Sequence, residues 1–197
     1  TNIQITGSIA ETLQLIDVLW YNTGLAVTTT TAQAITFPGG GLPARDINGA
    51  NSGNGVQLAL LTTTANTNAA VISTTTASYT DDQGNAGNTA TFSALVGWQA
   101  PATPVIGTWM PFQLAAGDRG MRAVASITLG TSYGAGALSA VLYRPLFTIT
   151  NTVANIGGLM TIPAPGIRIY PNSCLMVLAV GSASASTLAG SYTIMER

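Results

Sequence analysis

The sequence predicts an all-β protein, a β-sandwich or jelly roll of roughly nine to ten short antiparallel strands. Three observations carry that reading. The chain of 197 residues holds 29 threonines, many in runs such as Thr28-Thr29-Thr30-Thr31 and Thr74-Thr75-Thr76, and threonine is β-branched and favours strands. Its 22 glycines and 9 prolines fall at short intervals, which suits many turns and no long helix. Apolar and polar residues alternate along several segments, the period of a half-buried strand.

Taken in order, Ile3 and Ile5 alternate and are followed by Ile9, Leu13, Leu15, Ile16, Val18 and Leu19, with no turn signal before Asn22-Thr23-Gly24. Residues 1–20 therefore read as an N-terminal arm or a first strand, and 21–197 as a single β-sandwich domain. Leu25 to Phe37 reads as a threonine-rich strand region. Residues 38–55, from Pro38-Gly39-Gly40-Gly41 through Asn48-Gly49 and Ser52-Gly53-Asn54-Gly55, form the longest irregular stretch, and a loop of this length in a compact domain is often functional. Val56, Leu58 and Leu60 then alternate with Gln57 and Ala59. The turn-rich segment Asp81 to Asn88 separates Val71–Tyr79 from Ala90, Phe92, Ala94 and Val96, which predicts a hairpin. Residues 108–115 are expected to pair with 122–129 across Ala116 to Met121, with Ala123, Ala125, Ile127 and Leu129 on one face. Leu138, Ala140 and Leu142 resume the alternation. Residues 146–150, 167–170, 174–180 and 187–195 supply the remaining strands, and 174–180, apolar on both faces, is expected to be central or covered by a neighbouring subunit.

Only 7% of the residues are charged, against roughly a quarter in an average soluble protein. The chain has no lysine and no histidine, and its cations are Arg45, Arg119, Arg122, Arg144, Arg168 and Arg197. A Ser-His-Asp or Cys-His relay needs an imidazole, and a Schiff base or a P-loop needs a lysine. Most zinc sites need histidine or several cysteines. The expectation is a protein that is not an enzyme, with no cofactor and no metal. The single cysteine, Cys174, sits in the apolar run Cys174 to Val180 and reads as an inert buried thiol.

A net charge of -1 without lysine leaves no electrostatic footprint for nucleic acid. The charge-free stretches 47–80 and 83–117 are broken by Asn, Gly, Pro and Thr before about 20 apolar residues accumulate, so no transmembrane helix is expected. The aromatic girdles of a membrane barrel are not evident either. No signal peptide is expected, since the N-terminal residues lack a basic segment followed by an apolar core.

Asp81, Asp82, Asn85 and Asn88 offer oxygen ligands to a hard cation such as calcium. Hairpin-turn chemistry accounts for them better, and the terminal glutamate of a calcium loop is missing. The seven carboxylates, Glu11, Asp17, Asp46, Asp81, Asp82, Asp118 and Glu196, keep a carboxylate-only glycoside hydrolase as a third alternative, though no spacing selects a pair. Asp118, Arg119 and Arg122 form the densest charge cluster. With Arg45, Asp46 and Arg144 they are the residues expected at an interface.

Several segments together resemble a family of tailed-bacteriophage structural proteins. These are Asp17-Val18-Leu19-Trp20-Tyr21-Asn22-Thr23-Gly24-Leu25, the stretch from Phe37 ending in Pro43-Ala44-Arg45-Asp46-Ile47-Asn48-Gly49, and Pro111-Phe112-Gln113-Leu114-Ala115-Ala116-Gly117-Asp118-Arg119-Gly120. Ser126-Ile127-Thr128-Leu129 and Leu142-Tyr143-Arg144-Pro145-Leu146 follow in the same order. The resemblance runs over most of the chain and rests on structural motifs, so it carries over no catalytic residue. It implies a virion component, with a capsid decoration (cement) protein as the favoured role. Such a protein would be a homo-oligomer, trimeric at sites of local threefold symmetry, with the major capsid protein as its partner, and residues 1–20 would be able to add a strand to a neighbour. The alternative is a tail or fibre module that binds a host glycan through one of Trp20, Trp98 or Trp109.

Overall fold

The computed structural model describes residues 2–8, 11–37, 39–92, 100–151, 158–161, 167–180 and 188–193. Among them there is no helix, and twelve strands are formed. The fold is all-β and its larger unit, Val18–Arg144, is a β-sandwich. The second unit comprises Thr1–Asp17 and Pro145–Arg197. Strands β2 (Glu11–Leu25) and β9 (Ala137–Asn151) each contribute residues to both.

In the larger unit one sheet runs β2, β9, β4 (Gln57–Thr64), β7 (Trp109–Pro111), and the other runs β3 (Gln33–Ala34), β8 (Met121–Leu129), β5 (Thr75–Asp81), β6 (Ala86–Thr91). Strand β5 shows how the sequence sets this up: Thr75, Ala77, Tyr79 and Asp81 are buried while the residues between them are half-exposed, as a period of two requires. Leu19, Leu58, Leu60, Met110, Leu138 and Leu142 from one sheet meet Tyr79, Ala90, Val124, Ile127 and Leu129 from the other in a single core. Phe92 and Phe112 stack within it at 4.5 Å between centroids. Burying each of these large side chains stabilises the unit by about 1.5–3 kcal/mol relative to exposure.

The expected hairpin across 81–88 forms, with Thr76 opposite Thr91 and Tyr79 opposite Asn88. Ala94 and Val96 lie outside the described residues. The expected pairing of 108–115 with 122–129 does not form. Trp109–Pro111 pairs instead with Leu61–Ala59 of β4, and β8 pairs with β5 and β3. The cause lies in the buried Tyr79 hydroxyl, which accepts the Ala115 amide at 2.9 Å and donates to Asp118. The connection between β7 and β8 is thereby drawn over β5 and is no tight hairpin turn.

Strand β8 also departs from the alternation predicted for it. Its register slips between Ser126 and Val124 and again between Ala123 and Met121. These β-bulges reverse the phase of the side chains. Met121 and Val124 are buried in place of Ala123 and Ala125, and the displaced Ala125 carbonyl accepts the Ile35 amide at 2.9 Å. Of the strand region expected over Leu25–Phe37, only Gln33–Ala34 beyond Leu25 is strand. The Gln33 side chain bonds both the amide and the carbonyl of Ala26, occupying backbone groups that a strand partner would otherwise take.

In the second unit β1 (Asn2–Gly7) is the middle strand of three, between β10 (Gly158–Thr161) and β12 (Leu188–Thr193). Residues 167–170, expected as a strand, are irregular and lead into the turn Tyr170-Pro171-Asn172-Ser173. There the Ser173 amide donates to the Tyr170 carbonyl at 3.1 Å and Asn172 has φ 64°, the geometry of a type II turn. Asp17, fully buried, accepts the Ser173 hydroxyl and the Cys174 amide, both at 2.9 Å. Strand β11 (Cys174–Val180) lies at a sheet edge rather than in a centre, and Cys174 is exposed rather than buried. Only Leu178 of residues 174–179 is buried, because an edge strand has a neighbour on one side alone.

Three tyrosines give the larger unit a defined response to alkali. Burial pushes the phenols of Tyr79, Tyr133 and Tyr143 up to about 12 from an ordinary value near 10. The unfolded chain ionises at about pH 10 and the folded chain holds these protons to about pH 12. Their stabilising contribution is fully present below pH 10 and is lost as the pH rises through 12. A spectrophotometric titration is expected to show these phenols ionising together with the loss of near-ultraviolet circular dichroism, not before it.

Candidate functional site

The sandwich has two ends of different chemistry. Strand β4 leaves one end at Gln57 and reaches the other at Thr64, while β5 and β8 run between the same ends, Asp81 facing Met121 and Thr75 facing Leu129. All eight charged residues of the unit, Arg45, Asp46, Asp81, Asp82, Asp118, Arg119, Arg122 and Arg144, fall at the Gln57 end. The loops of the opposite end, 26–32, 65–74, 100–108 and 130–136, carry no charge.

Two loops at the charged end are built on one device. The Asp46 carboxylate accepts the amides of Asn48 and Ala50 at 2.9 and 2.8 Å and the Ser52 hydroxyl at 2.7 Å. The Asp81 carboxylate accepts the amides of Gln83 and Asn85 at 2.9 and 2.8 Å and the Asn85 side-chain amide at 2.8 Å. In both, the glycine three residues on donates its amide to the aspartate carbonyl and takes a positive φ, 79° at Gly49 and 93° at Gly84. A β-carbon there would be strained. Burial alone would raise the pKa of Asp46, but its hydrogen bonds from Ser52, Ala50, Asn48 and Asn54 outweigh that and hold it below the ordinary carboxylate value. Asp81 is lowered chiefly by the Asn85 side chain, with backbone amides adding to it. The repeated spacing, Asp46 to Gly49 and Asp81 to Gly84, is present in the sequence, and it is the signal that reading single motifs missed. The Asp81 oxygens face N–H donors, the arrangement of a loop anchor. Among the described residues no three acidic, histidine or cysteine side chains cluster as metal ligands would.

The Asp46 loop is locked to the start of β8. Asn54 bridges Gly120, the Gly55 amide donates to the Arg119 carbonyl at 3.1 Å, and the Met121 amide donates to Val56 at 3.1 Å. The backbones approach so closely that a β-carbon on Gly120 would stand 2.0 Å from the Gly53 carbonyl oxygen, and one on Gly53 would stand 2.3 Å from that of Met121.

Beside this junction lies a groove of about 420 Å3 walled by Gln57, Phe112, Gln113, Ala115, Asp118 and Arg119. The Tyr79–Asp118 bond fixes one wall, and the Tyr143 hydroxyl holds Gln57 at 3.1 Å on the other. The groove contains one carboxylate, Asp118, whereas glycoside hydrolysis by carboxylates alone needs a pair across a cleft.

Of the six residues expected at an interface, Asp118, Arg119, Arg45 and Asp46 come from adjoining loops of this end and Arg122 from the start of β8. Arg119 and Arg122 are exposed and Asp118 is half-buried. Arg45 is half-buried and donates from Nη2 to the Val18 carbonyl at 3.2 Å. Asp46 and Arg144 are 1% and 3% exposed, so they shape the end from within rather than present charge to solvent.

No family model, curated protein or solved structure matches the chain.

Of the tryptophans, Trp98 lies outside the described residues. Trp109 is half-buried, its ring edge-on to Tyr143 at 4.9 Å. Trp20 is half-buried against Phe37. No helix among the described residues is long and apolar enough to cross a membrane.

Proposed function

We propose that the chain is a non-enzymatic structural subunit of a tailed-phage virion, a decoration protein that binds the outside of the head and reinforces it through its charged end. One observation carries the reading. Three of the segments that resemble the phage structural family meet at that end: Pro43–Gly49 builds the Asp46 loop, Pro111–Gly120 lines the groove and meets Asn54, and Val18, from a third, receives Arg45, while Ser126–Leu129 runs toward the other end. The architecture suits the role. A sandwich with all its charged residues at one end presents that end to a charged partner surface, where electrostatic complementarity sets orientation and register. Loops anchored by buried aspartates hold their shape before docking, which lowers the entropy cost of binding. A chain without lysine supplies no side-chain amine, so copies of it cannot be joined to one another by lysine isopeptide bonds.

The expected partners are further copies of this chain and the major capsid protein. Purified protein should sediment with capsids that lack it. The double variant Arg119→Glu and Arg122→Glu, altering two exposed side chains, should keep its melting curve and bind at least about a hundredfold more weakly, because like charges brought together at an interface cost several kcal/mol. Capsid binding undiminished in that variant would remove the charged end from the interface.

A further inference from the structure

The latter part of β2 carries a second depression, of about 510 Å3, walled by Trp20, Tyr21, Asn22, Thr23, Gly24 and Thr36. Its chemistry differs from that of the charged groove. The Trp20 ring is held in place by Phe37, with centroids 4.9 Å apart and planes at 51°, and Phe37 in turn packs on the core. Tyr21 is 64% exposed, although a tyrosine that serves packing is mostly covered. The polar side chains of the wall are an amide and hydroxyls. Asn22 Oδ1 accepts the Gly24 amide at 2.7 Å, which sets the orientation of the side-chain amide and leaves its two N–H donors to offer. Thr23 and Thr36 are both exposed and each adds a hydroxyl that donates and accepts. The wall contains no acidic or basic side chain.

We propose that this groove binds a neutral saccharide. A sugar ring presents an apolar C–H face edged by hydroxyls, and the exposed Tyr21 ring beside uncharged donors and acceptors matches both. The volume falls within the range of about 300–1,000 Å3 usual for small-molecule sites. Sialic and uronic acids carry a carboxylate that a groove without a cation leaves unpaired, which would cost affinity. A proline-rich peptide docks on aromatic-lined grooves, but it would leave the threonine and asparagine groups of this wall largely unused. The proposal is independent of the capsid reading, because it concerns a different surface and holds wherever the copies of the chain sit in a particle.

Isothermal titration tests it on the whole protein, with maltohexaose, chitohexaose and mannohexaose as neutral probes, sialyllactose as the acidic probe and a polyproline peptide as the competing class. At least one neutral oligosaccharide is expected to bind. Tyr21→Ala, which alters an exposed side chain, should weaken that binding by about tenfold or more with an unchanged melting curve. The proposal is overturned if no neutral probe binds at millimolar concentration, if Tyr21→Ala binds as well as the wild type, or if only sialyllactose or the peptide binds.

Discussion

Gly120→Ala is expected to separate the two loops that form the charged end. Its new β-carbon would lie 2.0 Å from the Gly53 carbonyl oxygen and 2.7 Å from the Gly55 nitrogen. Both neighbours are backbone, so neither can turn aside as a side chain would. Relief requires the Asn54–Gly120 bridge to open, and with it the Gly55 to Arg119 and Met121 to Val56 hydrogen bonds. A cost of about 3 kcal/mol, the upper end for overpacking, lowers the melting temperature by roughly 6–12 °C in a chain of this length. Differential scanning calorimetry measures it. Because the loop carrying Arg45 and Asp46 is displaced as well, capsid binding should weaken more than the remaining folded fraction explains.

Phe92→Ala is expected to be at least as damaging, for a different reason. Phe92 is fully buried and stacks on Phe112 at 4.5 Å between centroids. Its removal forfeits burial and leaves a void between a residue that follows β6 and one that follows β7. Truncations of this kind cost about 3–5 kcal/mol. Chemical denaturation should show the midpoint falling with little change of slope, the mark of lost stability without a change in the unfolded state. Phe92→Leu, which refills most of the space, should recover more than half of the loss. These two variants separate the roles of the molecule: the first strikes the junction that shapes one end, the second strikes the core and leaves the charged loops chemically intact.

Much of this fold was legible in the sequence where local pattern and tertiary packing agree. The apolar run after Val56 and the segment expected over Val71–Tyr79 report real strands, Gln57–Thr64 and Thr75–Asp81, although Ala59 is as buried as Leu58 and Leu60 and so the first does not alternate. The turn chemistry around Asp81–Asn85 reports a real hairpin. Strand β8 misled because two bulges reverse its phase, and a bulge leaves no mark in a pattern of period two. The connection after β7 misled because Ala116-Gly117-Asp118-Arg119-Gly120 has the composition of a hairpin turn, while its course is set by the Tyr79 hydroxyl 36 residues away from Ala115. Cys174 was expected inside because its strand is apolar, yet edge position, which sequence does not encode, exposes it.

The site was partly legible for a related reason. In a chain with so few charges, clustering of Asp118, Arg119 and Arg122 marks an end of the sandwich by itself. The burial of Asp46 and Arg144 was not legible, since whether a charge points outward or is held inside depends on how many backbone donors, for a carboxylate, or acceptors, for a guanidinium, surround it. The pairing of Asp46 with Gly49 and Asp81 with Gly84 could have revealed the anchoring role, as glycine at a fixed offset from an aspartate is the trace such a loop leaves.

Cryo-electron microscopy of the tailed-phage particle proposed to carry this protein tests the central claim most directly. The account predicts density for many symmetric copies on the head lattice, with loops 45–55, 81–85 and 115–122 turned toward the capsid. Copies confined to the tail, no copies in the purified particle, or copies that face the shell with the charge-free loops 65–74 and 100–108 would contradict it.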